Sequence, residues 1–360
     1  MTEYILAIDQ GTTGTTALLI GHDLCIHGRQ TIEFPQHFPK PGWVEHDPEE
    51  IWASTRKAIL YLIEETGIST GQIQAIGITN QRETTLLWER NGGQPIGNAI
   101  VWQCRRTAEI CQSLKNQGLA ETYRRRTGLV LDPYFSGTKL TWMLENLHGA
   151  ETRAKSGRLA FGTIDSFLVW RLTGGKSHVT DVSNASRTLM MDLQKLDWDD
   201  ALLKPLKVPR TLLPEIVPSS QVYGKTNSLD FLPDGIPISG MAGDQQSALF
   251  GQACYSPGQS KCTYGTGAFI LENIGDTPIL SKHGLLTTVA WQLDDKTSYA
   301  LEGSAFIAGA AVQWLRDGMG LIESSGGIEE LARQVSGSDG VVFIPALTGL
   351  GAPHWRSEAR

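Results

Sequence analysis

The chain has 360 residues, of which 41% are hydrophobic and 19% charged, and its formal net charge at pH 7 is −7. This length allows two domains with sizeable cores, and the acidic balance argues against nonspecific nucleic-acid binding, which needs a basic surface. The five cysteines form no metal-binding pair and no disulfide framework. Because no apolar run reaches bilayer length or resembles a signal peptide, the sequence predicts a cytoplasmic protein without a membrane span.

The first stretch with chemical character is a polar turn between two apolar runs, residues 4–8 and 17–20. This pattern predicts a β-hairpin. The glycines of the turn let backbone N–H groups come close to a ligand, and Thr12 and Thr13 add hydroxyl donors that suit phosphate oxygens. Asp9, at the end of the first strand, is well placed to hold the Mg²⁺ that accompanies a nucleotide. A polar hairpin tip with an incidental carboxylate explains this stretch alone equally well.

Strands and helices then alternate along the chain. A helix is predicted to begin after Asp47, with Pro48 at its first position, and to end at Gly67. Further strands are predicted over residues 28–34, 75–79 and 84–88, and further helices over residues 104–117, 137–147 and 165–172. The order of strand, helix and strand favours an α/β fold.

The opening pattern recurs in the second half of the chain. A strand runs through Gly243 into a helix that starts at Asp244, and a second glycine–threonine turn lies within residues 263–267. Such a repeat predicts two related domains that face one cleft, each with a phosphate-binding turn. Neither turn matches a P-loop or a G-x-G-x-x-G motif. Residues 303–315, rich in small side chains, are predicted to form a core helix.

Seven segments, spread in order over the whole chain, resemble motifs of the FGGY carbohydrate kinases, a family within the actin/Hsp70-like ATPase superfamily. They are DQGTT (residues 9–13), PGWVEHD (41–47), GITNQRETT (77–85), AIVWQCRR (99–106), DPYFSGTK (132–139), GDQQ (243–246) and TYGTG (263–267). Each motif alone is weak, but this many in the same order are highly specific. The resemblance is to those members of the family that act on glycerol.

The resemblance implies transfer of a phosphoryl group from ATP to glycerol, with Mg²⁺, to give sn-glycerol 3-phosphate and ADP. It also implies an actin-like (ribonuclease H-like) α/β fold in which two domains flank a cleft. We expect an N-terminal domain over residues 1–250 that binds glycerol and phosphate, and a partial C-terminal domain over residues 251–360 that binds the nucleotide. Closure of the cleft would exclude water, which competes with glycerol for the phosphoryl group. A homo-oligomer is left open.

The resemblance also implies roles for individual residues. Asp244 resembles a general base that takes the proton of a terminal hydroxyl during in-line transfer, a role compatible with that of a helix N-cap. Arg82 and Glu83 resemble a pair that grips glycerol hydroxyls, although an Arg–Glu dipeptide alone is more typical of a solvated surface pair. The other implied contacts are Tyr134 and Gln245 with glycerol hydroxyls, Trp102 with the carbon backbone, Thr12, Thr13, Gly265 and Thr266 with phosphates, Gly309 and Gln313 with the nucleotide, and Asp9 with Mg²⁺ through water.

Two features depart from the family pattern. Thr16 stands where the family usually has Arg or Lys, so a charge that would stabilise the γ-phosphoryl group must be weaker or come from elsewhere. The sequence ends at Arg360 within a family motif, so we expect the second domain to lack a Gly-rich adenosine-binding segment. An unpaired sheet edge and an exposed core would then destabilise that domain.

Three alternatives remain open from the sequence. A sister FGGY kinase would phosphorylate xylulose, ribulose or gluconate instead of glycerol. A non-catalytic relative, truncated, would bind glycerol without releasing ADP. An actin- or Hsp70-like ATPase that moves partners would hydrolyse ATP without any polyol. A panel of polyols in a coupled ADP assay separates these classes.

Overall fold

The computed structural model describes residues 3–359 and contains both strands and helices. The strands are β1 (Tyr4–Gln10), β2 (Gly14–Gly21), β3 (Ile26–Glu33), β4 (Glu45–His46), β5 (Ile73–Asn80), β6 (Leu86–Glu89), β7 (Ala99–Ile100), β8 (Leu159–Gly162), β9 (Val179–Asp181), β10 (Met191–Asp192), β11 (Asp197–Trp198), β12 (Glu215–Val217), β13 (Ser220–Lys225), β14 (Pro237–Gly243), β15 (Ser260–Tyr264), β16 (Ala268–Gly275), β17 (Leu286–Leu293) and β18 (Lys296–Ala305). The helices are α1 (Pro48–Thr66), α2 (Ala108–Asn116), α3 (Ala120–Thr127), α4 (Ser136–Asn146), α5 (Ala150–Lys155), α6 (Ile164–Leu172), α7 (Val182–Ala185), α8 (Asp200–Leu206), α9 (Asp244–Gly251), α10 (Gly309–Gln313) and α11 (Gly327–Arg333), with a π-helical turn at Trp314–Gly318.

One mixed sheet organises the molecule, with the strand order β15-β16-β18-β17-β13-β14-β5-β1-β2-β3. At its centre β14, β5 and β1 run parallel, so their carboxyl ends meet at one edge. The antiparallel hairpin of β1 and β2 and that of β15 and β16 belong to opposite halves of the sheet. A single residue pair, Ser220 with Leu293, joins the two halves. The division into domains 1–250 and 251–360 stays a prediction.

Two hydrophobic cores cover the sheet. The first packs alternate residues of β1 and β2, such as Leu6 and Leu19, against the apolar stripe of α1. The second joins the two halves of the chain, because Tyr134 and Phe135 pack in it together with residues of β16 and β17. Helices α4 and α9 are therefore held close to the junction between the halves.

Most of the predicted elements are present. Both predicted hairpins form, and α1 begins at Pro48 after Asp47, whose Oδ1 accepts a hydrogen bond from Glu49 N (2.8 Å), and ends before Gly67. Within residues 3–359, every helix is too short or too polar to cross a lipid bilayer.

The predicted helix over residues 303–315 is wrong over residues 303–308. Strand β18 continues to Ala305, and the helix begins only at Gly309. Residues 268–273 of β16 pair with residues 300–305 of β18. Because side chains alternate between the two faces of a strand, Glu302 and Ser304 both point towards the interior. The small side chains let Ala352 N approach Ser304 O to 2.9 Å. Small residues here serve close strand packing rather than a helix.

One glycine fixes the contact between α3 and β17. Gly128 ends α3 with a φ of 73°, and its carbonyl accepts a hydrogen bond from Thr287 N (3.0 Å). A Cβ at this position would lie 2.3 Å from Thr287 O. Gly118, which follows α2, has a similar φ of 75°, but a Cβ there would point into open space, more than 4 Å from the described residues beyond its own chain neighbours.

We therefore expect Gly128→Ala to destabilise the fold more than Gly118→Ala. Both substitutions carry the left-handed backbone penalty of roughly 1–2 kcal/mol, and Gly128→Ala adds an overpacking penalty of roughly 1–3 kcal/mol. Urea unfolding followed by tryptophan fluorescence measures the difference. Equal losses in the two variants would show that the α3–β17 contact relaxes freely.

Candidate active site

The first turn, Gly11–Thr13, connects β1 to β2. Its backbone closes through a hydrogen bond from Gly11 N to Gly14 O (2.9 Å). Gln81, which directly follows β5, donates from Nε2 to the Gly11 carbonyl (3.1 Å), and Trp102 Nε1 donates to the Thr12 hydroxyl (2.9 Å). The turn is thereby fixed at the carboxyl edge of the parallel strands, where ligands of α/β proteins bind.

The second turn, Gly265–Gly267, connects β15 to β16. Its carbonyls accept hydrogen bonds from Gly309 N and Ala308 N, both at 2.9 Å. A Cβ on Gly309 would lie 2.6 Å from Gly265 O, so this close approach requires glycine. Gln313 lies one helical turn further along α10 and is exposed. The structure thus places Gly309 in direct contact with the second turn and Gln313 one helical turn beyond Gly309.

Both turns line one cavity, which is open to solvent. Ten of the residues predicted from the sequence contribute to its lining: Thr12, Thr13, Arg82, Glu83, Trp102, Tyr134, Asp244, Gln245, Gly265 and Thr266. Three residues that the sequence analysis did not assign complete it: Thr263, Gly267 and Phe269. Asp9, Gly309 and Gln313 lie outside this lining.

Asp244 is the first residue of α9, directly after β14. Its Oδ1 accepts a hydrogen bond from Gln245 N (2.7 Å) and lies 3.2 Å from Arg82 Nε. Although 36% of its side chain is accessible, burial among the surrounding protein atoms raises the pKa of this carboxyl, while Arg82 opposes the rise. The result is a carboxylate that faces the cavity and is more basic than an ordinary aspartate.

Arg82 is buried and held by carboxylates on several sides. Its Nη1 donates to Glu302 Oε2 (2.5 Å), and its Nη2 donates to the Tyr134 hydroxyl (3.2 Å). A second buried arginine, Arg187, donates to Glu83 Oε1 (2.6 Å) and to Glu302 Oε1 (2.8 Å). Two arginines and two glutamates therefore form an ion network with balanced formal charges, and Arg82 also contacts Asp244 at its edge.

Glu302 links the two halves of the chain in this network, because it lies on β18 whereas Arg82 follows β5. Burial alone would raise the pKa of Glu302, but Arg187 and Arg82 lower it to about 2. Glu302 is thus ionised at neutral pH, and Arg82 and Arg187 stay charged in the interior.

The Glu83 backbone is strained. Its φ of 58° is unusual for a residue with a long side chain, and such strain concentrates at functional sites. The Glu83 carbonyl accepts hydrogen bonds from Ser136 Oγ (3.1 Å) and Thr85 Oγ1 (2.9 Å). These two bonds hold the backbone in the strained conformation. It turns the glutamate side chain inward beside Arg82, so the pair is not the solvated dipeptide that its sequence alone would favour.

An aromatic cluster forms the apolar wall of the cavity. The Trp102 ring packs edge-on against Tyr134 (5.9 Å between centroids) and Phe269 (6.0 Å). All three side chains are more than nine-tenths buried, so the rings have little freedom to move. The cavity thus combines a rigid apolar wall with the polar edge of the ion network.

Asp9 lies near this cavity rather than in its lining. More than a third of Asp9 is exposed, yet crowding by the protein around the carboxylate and the nearby charge of Asp244 raise its pKa to about 6. Thr16 faces β3, where its hydroxyl lies 2.9 Å from that of Thr31. This contact supplies no positive charge at position 16.

Sequence reasoning missed Arg187, Glu302 and Lys261. Arg187 lies just after a four-residue helix and has no local signal, and Glu302 lies beside the segment that was predicted to be a helix. Lys261 was detectable, because strand alternation puts it on the same face as Thr263 at the second turn. These three residues touch cavity-lining side chains without lining the cavity themselves.

The arrangement joins three chemical capabilities. Hydroxyl and backbone donors stand on both turns, a carboxylate with a raised pKa lies between them, and a guanidinium and a phenol reach the same space. Such a site can bind a multiply charged anion and take a proton from a hydroxyl beside it.

The family models and the relatives that match this chain are those of kinases. The model of the FGGY family of carbohydrate kinases, N-terminal domain, matches residues 4–251, and that of the C-terminal domain matches residues 260–360. A glycerol kinase of Myxococcus xanthus is 60% identical over 99% of this chain and 73% of its own length. A glycerol kinase of Oceanobacillus iheyensis is 57% identical over 99% of this chain and 72% of its own length.

Solved structures of kinases superpose on this chain. The structure of Plasmodium falciparum glycerol kinase with ADP superposes with a TM-score of 0.88 at 38% identity, over 100% of this chain and 72% of that one. A gluconate kinase of Lactobacillus acidophilus gives a TM-score of 0.85 at 26% identity, over 100% of this chain and 72% of that one. These matches confirm the predicted actin-like α/β fold. The chain belongs to the FGGY family of carbohydrate kinases.

Proposed function

We propose that this chain catalyses the ATP-dependent phosphorylation of glycerol to sn-glycerol 3-phosphate. Relatives called glycerol kinases at 55–60% identity over 99% or more of the chain support glycerol as the acceptor, whereas the gluconate kinase structure is only 26% identical. The observation that carries the proposal is the shared cavity, in which two phosphate-type turns flank Asp244, Arg82 and Tyr134.

Asp244 is the proposed general base. Its carboxylate is accessible from the cavity, and its raised pKa strengthens it as a proton acceptor. The terminal hydroxyl oxygen of glycerol attacks the γ-phosphorus while its proton passes to Asp244. A new O–P bond forms, the bond between the γ-phosphorus and the bridging oxygen breaks, and its electron pair leaves with ADP.

Substrate binding is the proposed role of the polar edge and the aromatic wall. Arg82, Glu83, Tyr134 and Gln245 are the proposed partners of the glycerol hydroxyls. Arg82 is already fixed by Glu302, so it needs little reorganisation to bind. Trp102 is the proposed wall against the three-carbon chain, because its ring is buried in the aromatic cluster.

The two turns are the proposed phosphate sites, through Thr12 and Thr13 on one side and Gly265 and Thr266 on the other. Both turns present hydroxyl and backbone groups to one cavity, which suits the oxygens of a triphosphate. Gly309 and Gln313 remain proposed nucleotide contacts, and their position beside the second turn supports this.

Mg²⁺ fits the residues present if water and phosphate oxygens supply most of its ligands. Asp9 offers an accessible carboxylate, and among residues 3–359 no group of three His, Cys, Asp or Glu side chains forms a cage of protein ligands. When bound, the ion neutralises charge on the phosphates. Asp9 would orient it through water.

The remaining features of the proposal concern organisation and location. The sequence division into domains 1–250 and 251–360 agrees in position with the matches to the two family domains and would create a cleft that closes on substrates. Five free cysteines support a reducing compartment, the cytoplasm. A homo-oligomer is retained as a prediction.

The direct test is a coupled assay of ADP release by the protein with glycerol, xylulose, ribulose, gluconate or no acceptor. We expect ADP release that depends on glycerol and on Mg²⁺. Release with a sugar but not with glycerol would assign a sister activity. Release without any acceptor would indicate an ATPase, and calorimetric glycerol binding without ADP release would indicate a binding protein.

Asp244→Asn tests the base. We expect kcat to fall by about 10²–10⁴, the range for loss of a general base, while calorimetry still detects glycerol. Gln252→Glu, a charge change on the exposed residue that follows α9, is the matched control and should leave kcat unchanged. A wild-type kcat in Asp244→Asn would remove the proposed base.

The pH profile gives an independent check of Asp244. The base must be ionised, so activity is lost as the pH falls through its pKa, and burial raises that pKa above the ordinary 3.8. We therefore expect the acidic limb of kcat/KM for glycerol to lie above pH 3.8. Titration of the limb in the wild type measures this, and a limb at or below 3.8 would contradict the assigned environment.

Glu302→Gln tests the ion network. Because it leaves the two buried arginines with Glu83 and the partly exposed Asp244, we expect a loss of about 3–5 kcal/mol in the free energy of unfolding. Ser304→Ala, which removes only a hydrogen bond to Glu302 (2.8 Å), should cost about 1 kcal/mol. Urea unfolding compares the two, and losses of equal size would show that the charge balance is unimportant.

A further inference from the structure

Lys261 is a buried cation beside the cavity, and the described part of the chain gives it no carboxylate partner. It lies on β15, is 6% exposed, and makes no ion pair among residues 3–359. By contrast, Arg82 and Arg187 are both occupied by buried glutamates. A buried ammonium without a counter-ion is unfavourable unless an anion approaches it. The mechanism described above does not use this charge.

The contacts of Lys261 orient two side chains of the cavity. Its Nζ donates to Gln245 Oε1 and to Thr263 Oγ1 (2.8 Å). Because the Thr263 oxygen accepts from Lys261, the hydroxyl proton must point elsewhere, and Thr263 lines the cavity. The Gln245 amide is fixed in the same way, with its oxygen towards Lys261 and its Nε2 3.3 Å from Asp244 Oδ2.

We propose that Lys261 is a positioning residue for phosphoryl transfer, which orients the Thr263 hydroxyl in the cavity and the Gln245 amide towards Asp244, and places a positive charge behind the γ-phosphoryl group. This inference rests on the proposed function. It assigns a source for the charge that Thr16 does not provide. Preorganised donors and charge of this kind stabilise the negative charge that moves during transfer.

The charged groups around Lys261 explain why it responds to pH. Burial and the positive charge of Arg82 lower its pKa to about 8, whereas Glu302, Asp244 and Cys262 act in the opposite direction. Lys261 is therefore charged below about pH 8 and loses its charge as the pH rises through that value. An arginine in its place stays charged over the whole range.

The test compares Lys261→Gln with Lys261→Arg. Glutamine keeps hydrogen-bonding atoms but removes the charge, so we expect kcat to fall by about 10²–10³, as for loss of one preorganised donor. In the wild type, kcat/KM for ATP should fall above about pH 8, and in Lys261→Arg this alkaline limb should move to higher pH. A wild-type kcat in Lys261→Gln, or an alkaline limb that Lys261→Arg leaves unmoved, would overturn the proposal.

A measurement on the wild type covers the case in which the variants do not fold. The charge serves the γ-phosphoryl group, and a lysine with a pKa of about 8 loses most of its charge between pH 7 and pH 9. ATP binding should therefore weaken over this range by about tenfold more than ADP binding, measured by calorimetry with Mg²⁺. An equal change for both nucleotides would overturn the proposal. Absence of glycerol-dependent ADP release by the wild type at any pH would instead contradict the proposed function.

Discussion

The buried ion network of Arg82, Glu83, Arg187 and Glu302 is the constraint on which the rest of the site depends. Its four side chains are 2% exposed or less, so each charge needs an opposite charge close to it. Glu302 comes from β18, whereas Arg82, Glu83 and Arg187 come from the part of the chain that precedes β15. The charge match can form only when the two halves are packed together, so it couples the fold of the second half to the geometry of the cavity.

The distribution of charge in the network affects the basicity of Asp244, which lies at the edge of the network. Arg82 is shared between Glu302 and Asp244, but Glu302 takes the shorter contact, 2.5 Å against 3.2 Å. Asp244 is thus only partly neutralised and stays accessible from the cavity. Burial raises its pKa despite Arg82, which is the environment that a base for an alcohol needs.

Local patterns in the sequence were sufficient for the hairpins and for α1, whereas five of the ten predicted residues that line the cavity, Arg82, Glu83, Trp102, Tyr134 and Gln245, were identified only through the resemblance to the FGGY family. Glycine and threonine at a turn, or a capping residue before a helix, determine the conformation of only a few neighbouring residues. Such signals can therefore be recognised in the sequence without knowledge of the fold. Glu302 and Arg187 could not be found in this way, because their partners lie more than 100 residues away. The error over residues 303–315 has the same origin, since small residues suit both a helix and a strand that packs closely.

The central claim is that both turns hold the triphosphate of one nucleotide while Asp244 faces the acceptor hydroxyl. A crystal structure of the protein with glycerol, Mg²⁺ and a non-hydrolysable ATP analogue tests it most directly. The account predicts γ-phosphate oxygens in contact with Thr12 or Thr13 and with Thr266, and a terminal glycerol oxygen within hydrogen-bond distance of Asp244. A γ-phosphate that contacts only one turn, or a glycerol bound away from Asp244, would contradict it.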